Sequence, residues 1–274
     1  RVRSTKDRRA MHIHLTASTA AINQFLQKTF GAADPWQRGS RGVSLVDALK
    51  QAEGQVHGRF ARQPLVEAEV LETIATTYTG LGQYADAERL LRSALKLRTA
   101  AGTRQTDAGA DTIAALAQSK RNQSQFDEAA VMSREELAIR KSLHGGEDGG
   151  SAAAMDNLAA ALLRKGEFPE AEKLSAEGLR IRRKVYGDKS EEVASSLQTI
   201  GFLATQKDDG KREEAVTRER LEILRGKYGK DSAQAVVAQG DLAVALLRQG
   251  KLPEAEKEFD ETLAAVRRVF GEDH

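Results

Sequence analysis

The chain has 274 residues and no cysteine, with 30% charged and only 5% aromatic residues. This composition favours a soluble, Ala/Leu-rich helical protein over a β-sandwich, and the lack of cysteine excludes disulfides, thiolate metal sites and cysteine nucleophiles. The formal net charge is +2, with five basic residues among the first ten. The rest of the chain is therefore near neutral, which does not favour a dedicated nucleic-acid-binding protein. No stretch approaches the ~18 consecutive apolar residues that a transmembrane helix needs.

The N-terminal segment 1–15 is predicted to be a basic tail or linker. A solvated tail is the favoured interpretation, and this tail is the one part of the sequence that suggests contact with a membrane surface or with phosphates. His12 and His14 would face the same side of a strand and are a candidate metal pair. They lack a third ligand at a useful spacing, so we predict no metal site and no cofactor.

Residues 16–63 are predicted to form capping helices. Residues 16–29 show a helical apolar pattern, 31–42 have the Gly, Pro and polar content of a loop, and Ser44 is a helix N-cap before an amphipathic segment. Terminal units of a repeat protein must cover their exposed apolar end, and we expect these helices to do so.

From residue 64 to 274 the sequence repeats with a period of 42 residues. GEFPEAEKLS at 166–175 returns as GKLPEAEKEF at 250–259. Columns at the same spacing hold Leu95, Leu137, Leu179, Leu221 and Leu263 and, at a turn, Gly82, Ser124, Gly166, Asp208 and Gly250. Five copies in near-constant register predict a repeat architecture in which each unit is a pair of helices.

The turn motif explains how each helix pair is built. Gly166 ends the first helix, and Pro169 and Glu170 begin the second, where a missing N–H costs nothing and a negative charge suits the helix dipole. The small residues Ala159 and Ala171 are expected to let the two helices approach closely.

The fourth repeat departs most from this pattern, in QKDDGKREEA at 206–215. In strict register Glu213 occupies the column that is alanine elsewhere, whereas a slip of two residues would place Ala215 there. The sequence therefore predicts a distorted turn in this repeat, with the helix pair retained.

The pattern L-A-x-x-[LY]-x-x-x-G-x-[YF]-x-[ED]-A, seen at 158–171, resembles the tetratricopeptide repeat (TPR), and the 42-residue period is similar to its kinesin-light-chain-type subclass. HEAT and armadillo repeats have similar periods but not this Gly–aromatic–Ala turn, and WD40 repeats are β-structures, which the Ala/Glu/Leu-rich composition does not favour. The resemblance implies an all-α, right-handed solenoid of about five TPR helix pairs behind an N-terminal helical cap. It also implies a concave surface, lined by first helices, that binds a protein or peptide.

A second resemblance covers AINQFLQKTFGAADP at 21–35 and residues 44–70, which are similar to the segment after the catalytic domain in bacterial TPR-containing serine/threonine kinases. The chain itself has no Gly-rich phosphate loop, no H-R-D and no D-F-G motif. No pair of titratable residues converges on a pocket in the pattern, so we predict that the chain is not an enzyme and takes no small-molecule substrate. A cytoplasmic location is favoured, and a periplasmic one follows if the parent protein is a membrane-spanning kinase.

The candidate binding residues lie on predicted first helices. In kinesin-light-chain-like repeats an Asn column contacts the peptide backbone, and here Asn157 alone matches that column, since an amide both donates and accepts hydrogen bonds. Neighbouring positions and a basic rim complete the predicted partner-binding surface: Thr73, Thr76, Gln118, Gln198, Thr199, Phe202, Asp241, Arg121, Asn122, Arg164 and Arg248. An ordinary polar surface and a solvated rim are the alternative interpretation.

The sequence thus predicts a protein–protein interaction scaffold. One alternative is a regulatory or sensor segment of a larger signalling enzyme such as a serine/threonine kinase. Another is a structural subunit of a large complex, for which exposed apolar second-helix positions such as Met132 and Phe259 would be the signature.

Overall fold

The computed structural model describes residues 44–271, which form eleven α-helices and no strand within that range. The predicted tail 1–15, the predicted helix 16–29, and the histidines at 12, 14 and 274 lie outside the described residues. The domain limits 1–15, 16–63 and 64–274 stay a prediction. The chain divides into two compact units, with the boundary between Gln125 and Phe126.

Unit 1 holds four helices: α1 (Leu45–Phe60), α2 (Pro64–Gly80), α3 (Tyr84–Ala100) and α4 (Asp107–Asn122). Unit 2 holds seven: α5 (Phe126–His144), α6 (Gly149–Lys165), α7 (Phe168–Tyr186), α8 (Glu191–Gln206), α9 (Gly210–Tyr228), α10 (Ala233–Arg248) and α11 (Leu252–Phe270). We call α6–α7 repeat three, α8–α9 repeat four and α10–α11 repeat five.

In unit 1 each helix packs on the next, and α2 also touches α4. The predicted cap at Ser44 is confirmed, because its hydroxyl accepts a hydrogen bond from the backbone N–H of Asp47 at 3.1 Å. The inward stripe of α1 includes Leu49, Ala52 and Val56, all at most 3% exposed. Helix α1 therefore packs its apolar stripe against α2.

In unit 2 consecutive helices also pack as neighbours, and the first helices α6 and α8 touch directly. Ala159 and Ala171 are fully buried where α6 meets α7, and Phe168 packs against their cluster. Gly166 closes α6 in the left-handed conformation at φ 80°, which glycine adopts without a Cβ clash. The close antiparallel pairing that these residues predict is confirmed.

The distorted turn predicted for repeat four is wrong. Helices α8 and α9 keep the strict 42-residue register, with Glu213 in the alanine column and Ala215 exposed. Asp208 takes the left-handed conformation, at φ 55°, that glycine takes in repeat three. A non-glycine residue can occupy this region at a modest cost, and aspartate is one of the residues most often found there. The backbone conformation of the turn is therefore kept, although an aspartate replaces the glycine.

The all-α solenoid class predicted from the sequence is confirmed, whereas its right hand stays a prediction. The fold of each unit comes from amphipathic helices that bury one stripe on each neighbour. In the described part of the chain, no helix has the length and apolarity to span a bilayer.

Candidate functional site

A cleft separates the first helices α8 and α10, with α9 behind it. Its wider part has a volume of about 490 Å³ and is lined by Glu191, Ala194, Ser195, Gln198, Arg220, Leu224, Ala233, Gln234 and Val237. A narrower part of about 120 Å³ is lined by Gln198, Gly201, Phe202, Thr205, Glu213, Thr217, Arg220, Asp241, Val244 and Arg248. Because Gln198 and Arg220 line both parts, the two form one continuous groove, which we call the α8–α10 cleft.

The walls of the cleft carry exposed apolar side chains on both first helices. Phe202 on α8 is 54% exposed, and Val237 and Val244 on α10 are 56% and 37% exposed. Val237 and Val244 are seven residues apart and so share one face of α10. Apolar side chains that remain exposed beside a concave space are typical of a binding groove.

The floor of the cleft is polar and comes mainly from α9. Arg220 is only 9% exposed, and its Nη1 donates to Oδ2 of Asp241 at 2.6 Å. Glu213 accepts a hydrogen bond from the hydroxyl of Thr205 at 2.8 Å and pairs with Arg248 at 3.4 Å. Both guanidinium groups are therefore partly neutralised by carboxylates, and the cleft has no strong net charge.

The wider part of the cleft lies where repeat four differs from repeat three at matching positions. In repeat three Arg182 binds the buried carboxylate of Asp156 at 2.5 Å, and Ser196 donates to the same oxygen at 2.8 Å. Burial raises the pKa of Asp156, against the opposing effects of Arg182 and Ser196. The positions 42 residues later hold Gln198, Leu224 and Ala238. The polar cluster that closes repeat three is thus absent from repeat four, and the wider part of the cleft lies beside Gln198 and Leu224.

Four of the predicted site residues meet in this cleft: Gln198, Phe202, Asp241 and Arg248. Thr199 is half-buried on α8 and does not line it. Asn157 on α6 also lies apart from it, and its amide donates to Oε2 of Glu136 at 3.2 Å. Arg164, at the end of α6, stacks over the ring of Phe126 at 5.3 Å.

The remaining predicted residues belong to unit 1. On α2, the hydroxyl of Thr73 donates to the backbone oxygen of Glu69, and that of Thr76 to the backbone oxygen of Glu72, each at 2.9 Å. At the end of α4, Gln118 donates to Asn122 at 3.0 Å and accepts a hydrogen bond from Arg121. These α4 side chains form a local cluster. None of the unit 1 residues lines the α8–α10 cleft.

Arg220 and Val237 also line the cleft, and neither was predicted from the sequence. Arg220 stands in a column that holds Ala94, Glu136, Gly178 and Thr262 in the other repeats. A long cation in a column that elsewhere holds alanine, glutamate, glycine and threonine was a visible signal, because a column that packs two helices does not need a long basic side chain. Nothing in the sequence alone placed that side chain at a groove floor.

The described residues contain no group of three or more His, Asp or Glu side chains arranged to hold a metal ion. The cleft offers amides, two paired arginines and apolar walls. These groups can bind a chain of peptide units, whose N–H and C=O groups match side-chain amides.

The sequence matches the family models of the tetratricopeptide repeat at residues 68–101, 108–183, 150–226 and 237–274. These matches together span more than half of the chain. The protein therefore belongs to the tetratricopeptide repeat family, whose fold generally serves protein–protein interaction and is generally not catalytic. No curated protein matches the chain.

Several solved structures share the fold at low sequence identity. A putative kinesin light chain of Podosopora anserina with nearly identical TPR-like repeats is 17% identical, with a TM-score of 0.63, 73% of this chain and 95% of that chain covered. BtubC (BKLC) from P. vanneervenii is 21% identical, with a TM-score of 0.60 and coverages of 82% and 87%. A Rap protein complexed with Competence and Sporulation Factor is 14% identical, with a TM-score of 0.67 and coverages of 84% and 60%. The kinesin-light-chain-like fold is thus confirmed, and the resemblance of residues 21–35 and 44–70 to a kinase-linked segment stays a prediction.

Proposed function

We propose that this protein is an interaction scaffold that binds an extended peptide segment of a partner protein in the α8–α10 cleft. The observation that carries the proposal is the combination of exposed Phe202, Val237 and Val244 with a partly neutralised polar floor in one groove. The Rap structure, whose protein is complexed with Competence and Sporulation Factor, adds support as a fold relative with a bound factor.

The side chains that line the cleft indicate which kind of peptide it would bind. The amides of Gln198 and Gln234 can pair with the peptide backbone, since each amide has both a donor and an acceptor. Phe202 and Val244 provide contacts for apolar side chains on either side of the narrow part. The near-neutral floor disfavours a highly charged ligand, because Arg220 and Arg248 already have carboxylate partners.

Asn157 and Arg164 on α6 remain part of the proposal as a secondary contact region in unit 2. Asn157 already donates to Glu136, so a peptide would compete with an internal hydrogen bond there. We therefore expect Asn157→Ala with Arg164→Ala to weaken binding less than substitutions in the cleft, with little effect on the melting temperature.

The test is selection of binding peptides from a phage library of random peptides on the full chain, followed by fluorescence titration of the selected peptide. Phe202→Ser and Val244→Ser should each raise the dissociation constant at least about tenfold, which corresponds to ~1.4 kcal/mol. Val131→Ser is the matched control, because Val131 is 67% exposed but lies on α5, a second helix outside the cleft. Equal affinities of all three variants for the selected peptide would refute the assignment to the cleft.

A further inference from the structure

In repeat three an arginine of the protein itself lies between the first helices α6 and α8. Nη1 of Arg182 contacts Oδ2 of Asp156 on α6 at 2.5 Å and donates to the hydroxyl of Ser196 on α8 at 2.9 Å. The same nitrogen donates to the backbone oxygen of Glu192 at 2.9 Å. Arg182 is only 7% exposed, so its guanidinium is held inside the repeat by partners on both first helices.

The wider part of the α8–α10 cleft is lined by the residues that match Arg182 and two of its partners. These residues, 42 positions later, are Gln198, Leu224 and Gln234. The side chain of Leu224 is shorter than an arginine and carries no polar group that could bind the two glutamines. A volume of about 490 Å³ lies beside it, within the ~300–1,000 Å³ that is typical of ligand pockets. The space that matches the position of the Arg182 side chain can therefore receive a side chain from a ligand.

The wall of the wider part is mostly apolar or uncharged. Ala194 and Leu224 are only 2% and 5% exposed, so they form its deeper surface, whereas Val237 is 56% exposed. Ser195 and Gln198 add a hydroxyl and an amide. Hydrocarbon that is buried against such a surface is removed from water, which is favourable.

The charged side chains beside this space already have partners. Among the residues that line the wider part, Glu191 is the only acid, and it accepts hydrogen bonds from Nζ of Lys227 at 2.7 Å and from the hydroxyl of Tyr228. Nη1 of Arg220 donates to Oδ2 of Asp241 at 2.6 Å. A basic side chain from a ligand would lose its hydration, find no unpaired carboxylate and face the guanidinium of Arg220. The wider part therefore disfavours lysine and arginine.

We propose that the wider part is a specificity pocket, which takes one long, uncharged apolar side chain of the bound peptide and excludes lysine and arginine. This assignment rests on the proposed function, since it describes how the α8–α10 cleft selects its peptide. In repeat three the protein supplies the inserted side chain itself, as Arg182, together with the carboxylate of Asp156. In repeat four the peptide supplies it, and the apolar and amide groups of Leu224 and Gln198 select an uncharged one.

Titration of the full chain with N-acetyl amino-acid amides, followed by saturation-transfer NMR, tests the pocket without a peptide. The norleucine and lysine amides are the matched pair, because their side chains share a carbon skeleton and differ by the ammonium group. Norleucine amide should bind with a dissociation constant in the millimolar range, as expected of so small a ligand. Lysine amide should bind at least about tenfold more weakly. Alanine amide should also bind more weakly, because it buries less hydrocarbon.

Two variants fill the pocket from opposite walls. Ala233→Phe acts from the start of α10 and Ser195→Phe from α8, and each should weaken the binding of norleucine amide at least about tenfold. Ala176→Phe is the matched control, because Ala176 is exposed on α7 and does not line the cleft. Phe202→Ser should also leave amide binding unchanged, since Phe202 lines the narrower part alone. Circular dichroism verifies that each variant is folded.

Equal affinities for the norleucine and lysine amides overturn the proposal. So does the lack of binding of any amide, or norleucine binding that both filling variants leave intact. A selected peptide that depends on Phe202 but accepts lysine at every position refutes the pocket alone. Failure of the proposed function gives a different result, in which the filling variants block norleucine amide but no selected peptide depends on Phe202.

Discussion

Repeats three and four have the same helix register, but the side chains at three matching interior positions differ. In repeat three Asp156, Arg182 and Ser196 tie α6, α7 and α8 together through a buried cluster of polar side chains. In repeat four the same three positions are Gln198, Leu224 and Ala238, and a cleft lies there instead. A repeat scaffold can therefore hold a closed polar cluster in one repeat and an open groove in the next while its helix register stays constant.

A polar cluster like that of repeat three also occurs in unit 1, at the matching positions of the first repeat. Glu72, Arg98 and Thr112 stand 84 residues before Asp156, Arg182 and Ser196, and Arg98 binds both carboxylate oxygens of Glu72 at 2.7 and 2.8 Å. Thr112 also donates to that carboxylate. The closed polar cluster thus occurs in two repeats, whereas in repeat four an open space lies beside the matching positions.

The largest expected effect comes from giving repeat three the residue of repeat four. Arg182→Leu leaves the Asp156 carboxylate buried without its cation, and we expect a loss of about 3–5 kcal/mol in the free energy of unfolding. Arg220→Leu in repeat four should cost only about 1 kcal/mol, because the side chain of Asp241 is 46% exposed and stays hydrated. Urea denaturation followed by circular dichroism measures both, and similar losses for the two variants would contradict the comparison.

A smaller effect is expected from adding one methyl group to each repeat. A Cβ at Gly178 would lie 2.9 Å from Oδ1 of Asp156, whose other carboxylate oxygen is bound by Arg182 and Ser196. Gly178→Ala should therefore cost about 1–3 kcal/mol. A Cβ at Gly201 would meet only Val216 at 3.6 Å and Thr217 at 3.8 Å, which are ordinary contacts. Gly201→Ala should then stabilise the protein by about 0.5–1 kcal/mol, through the lower entropy cost of alanine in a helix. Thermal melts of the two variants should shift in opposite directions, and a common direction would count against the tight packing of repeat three.

The smallest effect concerns the junction between repeats four and five. A hydrogen bond from Lys251, aided by Arg218 and Gln249 and opposed by burial, lowers the pKa of Glu214 to about 2. A folded pKa below the unfolded value means that this carboxylate stabilises the fold above about pH 4.5, and that the contribution is lost as the pH falls toward 2. Glu214→Gln should cost no more than about 1 kcal/mol at pH 7, and the difference from wild type should vanish near pH 2. Denaturation curves at both pH values provide the measurement, and a pH-independent difference would contradict this account.

The turn of repeat four shows a structural feature that could not be predicted from the sequence. The sequence showed that Glu213 falls in an alanine column, but it suggested a distorted turn. Asp208 instead adopts the left-handed conformation, and the register is kept. Glu213 then extends to Thr205 and Arg248 at the cleft floor. A local departure from the consensus was thus visible, whereas its effect depended on side chains about eight and 35 residues away, from helices on either side.

For the candidate site, the hydrogen-bond partner of Asn157 could not be predicted from the sequence either. Its column and its amide predicted a peptide contact, yet in the structure the amide is engaged by Glu136 of the preceding helix. Gln198, Phe202, Asp241 and Arg248 were also named from their positions on first helices, and these four do line one cleft. Helical periodicity indicated which side chains share one face of a helix, but Thr199, which stands in the same column as Asp241, does not line the cleft.

The sequence by itself determined the helices, their 42-residue repeat and the glycine turns of repeats three and five. These features depend on local patterns such as apolar spacing, glycine after a helix and proline at its start. Only the tertiary structure decided which repeat has a buried polar cluster and which has an open cleft. Whether Arg182 completes a buried cluster or Arg220 lines a groove depends on the partners that neighbouring helices bring within hydrogen-bond distance, and those partners lie one or more helices away in the chain.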